Sequence, residues 1–171
     1  MIKVSNNQIP ESIVRECQVS IDIQRASLSP CQADDDAIQF WTHAVLSDEA
    51  ALIDQQCELC VRIVDEPEMS ELNSQYRQRA GSTNVLSFPA QPIPQIPGYR
   101  LGDLVLCAPV VNQQAEEQHK STESHWAHMI VHGVLHLLGY DHIDARDAVQ
   151  MEQREILILE KHGFSNPYEV K

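Results

Sequence analysis

An α+β domain is the fold class that the sequence predicts: a small sheet of about four strands packed against helices, one of them buried. Three observations predict it. Apolar and polar residues alternate at residues 19–25 and again at Leu59, Val61 and Ile63, the two-residue period of half-buried strands. Stretches of helical length with capping residues or prolines at their starts lie between and after them. A further stretch, from Trp126 to Leu138, is apolar all round apart from its histidines and Gly133, the mark of a helix enclosed by the rest of the chain. At 171 residues the chain suits a single domain, 1–171, large enough to bury a core without disulfides. It contains no repeat, low-complexity tract or internal linker.

The elements follow in order. Residues 1–16, mixed polar with Pro10, read as a loose lead-in. Residues 19–25 form the first strand. Asp34, Asp35 and Asp36 place negative charge at the start of a helix running to about Leu46, with Ile38, Trp41 and Val45 on its apolar stripe. A second strand covers 57–65 and leaves Arg62 on the face opposite Leu59, Val61 and Ile63. Pro67, favoured in a first helical turn, opens a helix to Arg79. Residues 85–88 and 102–107 are short apolar strands on either side of a proline-rich loop, 89–97. Pro109 opens a helix to about His119, residues 123–138 form the buried helix, and residues 144–161 form a final amphipathic helix carrying Asp147, Glu152 and Glu155 among Arg146 and Arg154.

The run His132-Gly-Val-Leu-His136-Leu-Leu-Gly139-Tyr-Asp141-His142 carries the chemistry. With about 3.6 residues per turn, His132 and His136 project from one helix face. Gly139 enters the left-handed conformation without steric cost, stops the helix and lets the chain return His142 to the same place. Three neutral imidazoles that leave one coordination position open describe a catalytic zinc site holding one Zn2+ ion, since structural zinc is normally closed by four protein ligands. The spacing His-x3-His-x2-Gly-x2-His equals that of metzincin proteases. There, however, a Glu follows the first His and takes the proton from the zinc-bound water. Here that position is Gly133, so the ligands survive and the protease base does not. Asp141 is a candidate base or partner to an imidazole N–H. His128, one turn before His132, is a candidate for the entrance of the site. His125 extends the tract, and His43, His119 and His162 read as surface or packing residues.

Charge and composition narrow the setting. The formal net charge is −13, which argues against indiscriminate nucleic-acid binding through a broad basic surface. Yet residues 72–102 contain no Asp or Glu while holding Arg77, Arg79 and Arg100, a locally positive patch suited to a phosphate-bearing substrate. The five cysteines are scattered and odd in number, which suits a reducing compartment. Cys57 and Cys60 fall on a strand with side chains to opposite faces and make no redox pair. No signal-peptide pattern and no spanning segment is evident, so an intracellular protein without a membrane partner is expected.

The run from His125 to His142 resembles the signature of the YbeY family, bacterial single-strand-specific endoribonucleases of rRNA maturation. The resemblance extends through Leu72-Asn73, Tyr76-Arg77, Thr83-Asn84-Val85-Leu86-Ser87-Phe88-Pro89 and Leu101-Gly102-Asp103-Leu104, and covers roughly residues 55 to 165. It implies that His132, His136 and His142 are zinc ligands and that Arg77 is the family's functionally important arginine. It also implies a cytoplasmic enzyme acting on ribosomal RNA, in particular the 3′ end of the small-subunit RNA, in ribosome maturation and quality control. The N-terminal lead-in follows the family least closely.

The expected reaction is metal-assisted phosphodiester cleavage, with zinc lowering the pKa of its water toward ~7 and Arg77 stabilising the charge of the transition state. RNA, the small ribosomal subunit and its associated proteins are the expected partners; DNA is not. Two rivals remain open: a metzincin-like zinc protease, opposed by Gly133, and a non-catalytic ribosome assembly factor whose zinc is structural.

Overall fold

A computed structural model describes residues 18–49, 56–91 and 99–169. The lead-in expected at 1–16 and most of the proline-rich loop lie outside the described residues. The elements in chain order are β1 (Gln18–Arg25), α1 (Asp35–Leu46), β2 (Gln56–Val64), α2 (Glu66–Arg77), β3 (Val85–Pro89), β4 (Tyr99–Cys107), α3 (Ala108–Glu117), α4 (Thr122–Leu137) and α5 (Ala145–Lys161). The four strands form one mixed sheet in the order β1-β2-β4-β3. β1, β2 and β4 run parallel, and β3 returns antiparallel to β4. This is the α+β architecture that the sequence predicts.

Local chemistry sets the element ends. The side chains of Asp34, Ser121 and Asp144 each accept a backbone N–H at the start of a helix, from Ala37, from Ser124, and from both Arg146 and Asp147. Pro67 and Pro109 occupy first turns. α2 stops at Arg77, short of the expected Arg79, because Gln78 turns into the left-handed region at φ 56°. β4 begins at Tyr99, ahead of the expected Gly102, and passes a register shift opposite Glu58 and Leu59. Gly102 has φ +131°, and a Cβ there would lie 2.1 Å from the carbonyl oxygen of Phe88, so only glycine lets β3 and β4 meet at that point.

α4 is the hub of the packing. It lies against α1, α3, α5, β3 and β4. Trp126, Ala127, Ile130, Val131, Val134 and Leu135 on it are buried, as its unbroken apolar run demands. Against β3 and β4 it comes so close that a Cβ on Gly133 would meet Leu104 Cδ1 at 2.2 Å. Ser87 on β3 fastens the contact by donating its hydroxyl to the carbonyl of Gly133 at 3.0 Å. Cys57 is buried while Cys60 faces the other side of β2, as the strand period requires. Among the described residues, no helix is long and apolar enough to cross a membrane.

Candidate metal centre and active site

The buried helix ends where the chemistry begins. Leu138 caps α4, Gly139 follows at φ +94°, its N–H donates to the carbonyl of His136 at 3.0 Å, and Tyr140 N–H donates to the carbonyl of Leu135 at 3.1 Å. These are the two reversed bonds of a Schellman motif. The motif turns the chain back on itself and brings His142 beside the two helical histidines. The turn is tied down from outside by Tyr140, whose hydroxyl donates to Glu49 at 3.1 Å. Arg154 on α5 holds the same carboxylate at 2.6 Å.

His132, His136 and His142 offer ligand atoms that all lie within 4.8 Å of one another, a group able to hold a metal ion. Ring centroids are separated by 4.6 Å (His132–His136), 4.9 Å (His136–His142) and 5.8 Å (His132–His142). The donor chemistry fits such an ion. Burial, helped by the neighbouring His132 and His142, pushes the His136 imidazole down to about 4, so it is neutral with its lone pair available at pH 7. His132 Nδ1 lies within hydrogen-bond reach of Glu155 Oε1, at 2.7 Å.

A cavity of about 850 Å3 opens over this cluster. Its far wall is built from the end of α2 and from β3. Tyr76, Arg77 and Arg79 line it together with the three histidines and Asp141. Arg77 is the last residue of α2 and donates from Nη2 to the carbonyl of Ser87 at 3.1 Å, which holds the guanidinium against β3. Two of the three arginines of the acid-free window therefore line the cavity. The third, Arg100, is outside it and pairs with Asp103 at 3.6 Å.

The other candidates are placed as follows. Asp141 spends one carboxylate oxygen on the backbone N–H of His142 at 2.7 Å, bracing the turn, and its side chain borders the cavity. His128 is not at the entrance. It is 7% exposed, faces α5 and bonds through Nε2 to Glu155 at 2.9 Å, because a full helical turn carries it behind His132. His125 is also buried, with Nε2 3.2 Å from Gln114, and desolvation pushes it down to about 4. His162 packs edge-on to Phe40 and Trp41, as a packing residue should.

Glu155 is the residue that sequence reasoning passes over. It reads as one more charge on an amphipathic helix, yet it is fully buried among Met151, Ile158 and Leu159. Burial alone would raise its pKa, but hydrogen bonds from His128 and His132 outweigh burial and hold the carboxyl at about 2. Its spacing of three and four residues from apolar neighbours was the available signal: a carboxylate on the buried stripe must be paired.

Fold and cluster together define an α+β domain with a histidine group able to hold a metal. Residues 22–163 match the family described as Endoribonuclease YbeY, and the chain belongs to that family. Among similar proteins, the Endoribonuclease YbeY of Coxiella burnetii is 47% identical over 88% of this chain and 99% of its own length. That of Methylococcus capsulatus is 50% identical over 88% of this chain and 95% of its own. The solution structure of TM1509 from Thermotoga maritima shares the fold, with a TM-score of 0.52 at 21% identity, covering 86% of this chain and 99% of that one.

Proposed function

We propose that the chain is a zinc-dependent, single-strand-specific endoribonuclease of ribosomal RNA processing, cytoplasmic, acting at the 3′ end of the small-subunit RNA in ribosome maturation and quality control. The observation that carries the reading is the meeting, in one cavity, of His132, His136 and His142 with Arg77 and Arg79. The family name of the relatives supports the substrate class. His132, His136 and His142 would hold one Zn2+ ion; three imidazoles without thiolate are the donor set of catalytic zinc. When bound, the ion would supply Lewis-acid charge neutralisation and activation of water.

The chain's own residues do the rest. Arg77, already oriented by Ser87, binds a non-bridging phosphate oxygen through its planar fork and stabilises the charge that grows there during cleavage. Arg79 adds positive potential where the acidic body of the protein would otherwise repel the backbone. Asp141 keeps His142 in place with one oxygen, and its other oxygen would accept the proton of the attacking hydroxyl, whether water or the ribose 2′-OH. With a net charge of −13, most of the protein repels RNA, so the small ribosomal subunit and its associated proteins would speed the arrival of RNA at this positive patch without being needed for cleavage itself.

The test is digestion of single- and double-stranded RNA by the purified protein as prepared, after chelation, and after zinc is returned. Single strands should be cut, cutting should stop with chelator and return with zinc. Undiminished cleavage by metal-free protein, or digestion of casein in place of RNA, would refute the reading.

A further inference from the structure

Glu155 sits on the apolar stripe of α5 at 0% exposure, with Met151, Ile158 and Leu159 as its buried companions. By pattern a leucine belongs there. A carboxylate taken out of water is costly unless its oxygens are bonded, and three groups bond them. His132 Nδ1 lies 2.7 Å from Oε1, His128 Nε2 lies 2.9 Å from Oε2, and the Tyr168 hydroxyl from the C-terminal segment donates to the same Oε2. Among the described residues no Lys or Arg pairs with it; the nitrogens within reach of its oxygens are those of the two histidines.

His128, His132 and Glu155 also lie close enough together to pass for a second metal group. The hydrogen bonds account for that proximity. His132 has a single lone pair when neutral, and the carboxylate can only accept, so the shared nitrogen Nδ1 carries the proton. A tautomer fixed in this way leaves the lone pair on Nε2, which is then the one ring atom able to hold a metal. His128 cannot be a ligand with the nitrogen that it gives to Glu155.

Resting on the three-histidine reading above, we infer that Glu155 is a positioning residue that locks His132 in its Nδ1–H tautomer and orients its ring for the metal. His128 and Tyr168 hold Glu155 for this work. The carboxylate acts through His132 and touches neither metal nor substrate. Outer partners of this kind typically contribute 10–100-fold to metal affinity.

Nitrogen NMR of the imidazoles in the metal-free, full-length protein reads the tautomer directly, and zinc affinity is read by competition with a chelator. Wild-type His132 should carry its proton on Nδ1. In Glu155→Leu the proton should move wholly or partly to Nε2 and zinc affinity should fall about 10–100-fold. Glu155→Gln, whose amide carbonyl can still accept from Nδ1–H, should restore part of both. A merely structural residue would instead lower the melting temperature of both variants with tautomer and zinc affinity unchanged. That result, or a wild-type His132 protonated on Nε2, overturns the inference. The wild-type spectrum decides the matter even if Glu155→Leu does not fold. A wild-type protein that takes up no zinc overturns the three-histidine reading and this inference with it; zinc uptake alongside the wrong tautomer overturns this inference alone.

Discussion

Gly133 invites the sharpest test of how the site is built, because adding one methyl group there sets two effects of opposite sign against each other. Mid-helix, Gly→Ala gains about 1 kcal/mol of helix propensity. In this helix the new Cβ would stand 2.2 Å from Leu104 Cδ1, 3.3 Å from Leu104 Cδ2 and 3.2 Å from Val85 Cγ2. Ordinary carbon contacts need about 3.5–4 Å. Leu104 is 0% exposed and cannot swing into free space, so α4 and the sheet must part by more than an ångström or Leu104 must leave its rotamer. Overpacking of this kind costs about 1–3 kcal/mol, and the parting also stretches the bond from Ser87 to the Gly133 carbonyl, worth about 1 kcal/mol. The clash is at the severe end, so we expect a net loss of about 2–3 kcal/mol. For a domain of this size that lowers the melting temperature by roughly 5–10 °C. Differential scanning calorimetry of Gly133→Ala measures it. In a Leu104→Ala background the same substitution should cost much less, since the obstructing methyls are gone. A Gly133→Ala protein that melts at or above the wild-type temperature would refute the close-packing argument. The same geometry says why a metzincin-type glutamate cannot be installed here: the position faces the sheet, not the cavity.

Three further outcomes follow from the site. Arg77→Ala should retain zinc content and lose most RNA cleavage, on the order of 100-fold or more in rate, with Arg77→Lys recovering only part because a point charge lacks the fork; parent-rate cleavage by Arg77→Ala would remove Arg77 from the mechanism. Gly139→Ala, at φ +94°, should cost about 1 kcal/mol or more of stability and weaken zinc binding by displacing His142, read by urea unfolding and chelator competition. His125, held near 4 by burial, is below its unfolded value of about 6.5. The unfolded chain therefore binds the proton more tightly, so the contribution of His125 is complete above pH 6.5 and is lost progressively as pH falls toward 4. Urea midpoints measured at pH 7 and pH 4.5 should differ less in His125→Gln than in the wild type.

Much of this molecule was legible in its residues because local rules and global packing agree. The period of two in β1 and β2, the caps at Asp34 and Asp144, and the prolines opening α2 and α3 all act within a few residues. The histidine cluster was legible for the same reason, since one helix turn and one left-handed glycine suffice to gather it. What sequence could not supply were relations across long separations. Glu155 meets His132 from 23 residues away and Arg77 meets Ser87 across the turn between α2 and β3. Neither is coded by spacing; both depend on how α5 and α2 dock. That position 133 holds no glutamate was legible in the sequence, whereas the contact with Leu104 that leaves no room for one was not. His128 lies behind His132 and not at the entrance, since helical periodicity says which residues share a side, not how far round a given one faces.

The bond from Arg77 to the Ser87 carbonyl has a consequence for assembly. Among the described residues, β3 is an edge strand of the sheet. Asn84 and Ala90 spend their backbone groups on β4, through Cys107 and Leu101, so by alternation Val85, Ser87 and Pro89 turn theirs outward. An outward row of amides and carbonyls is a template for any extended peptide, including another copy of the chain. Here proline removes one donor and the guanidinium occupies one acceptor, so the rim beside the cavity has little left to offer a foreign strand. The bond that fixes Arg77 beside the cavity thus also keeps polypeptide away.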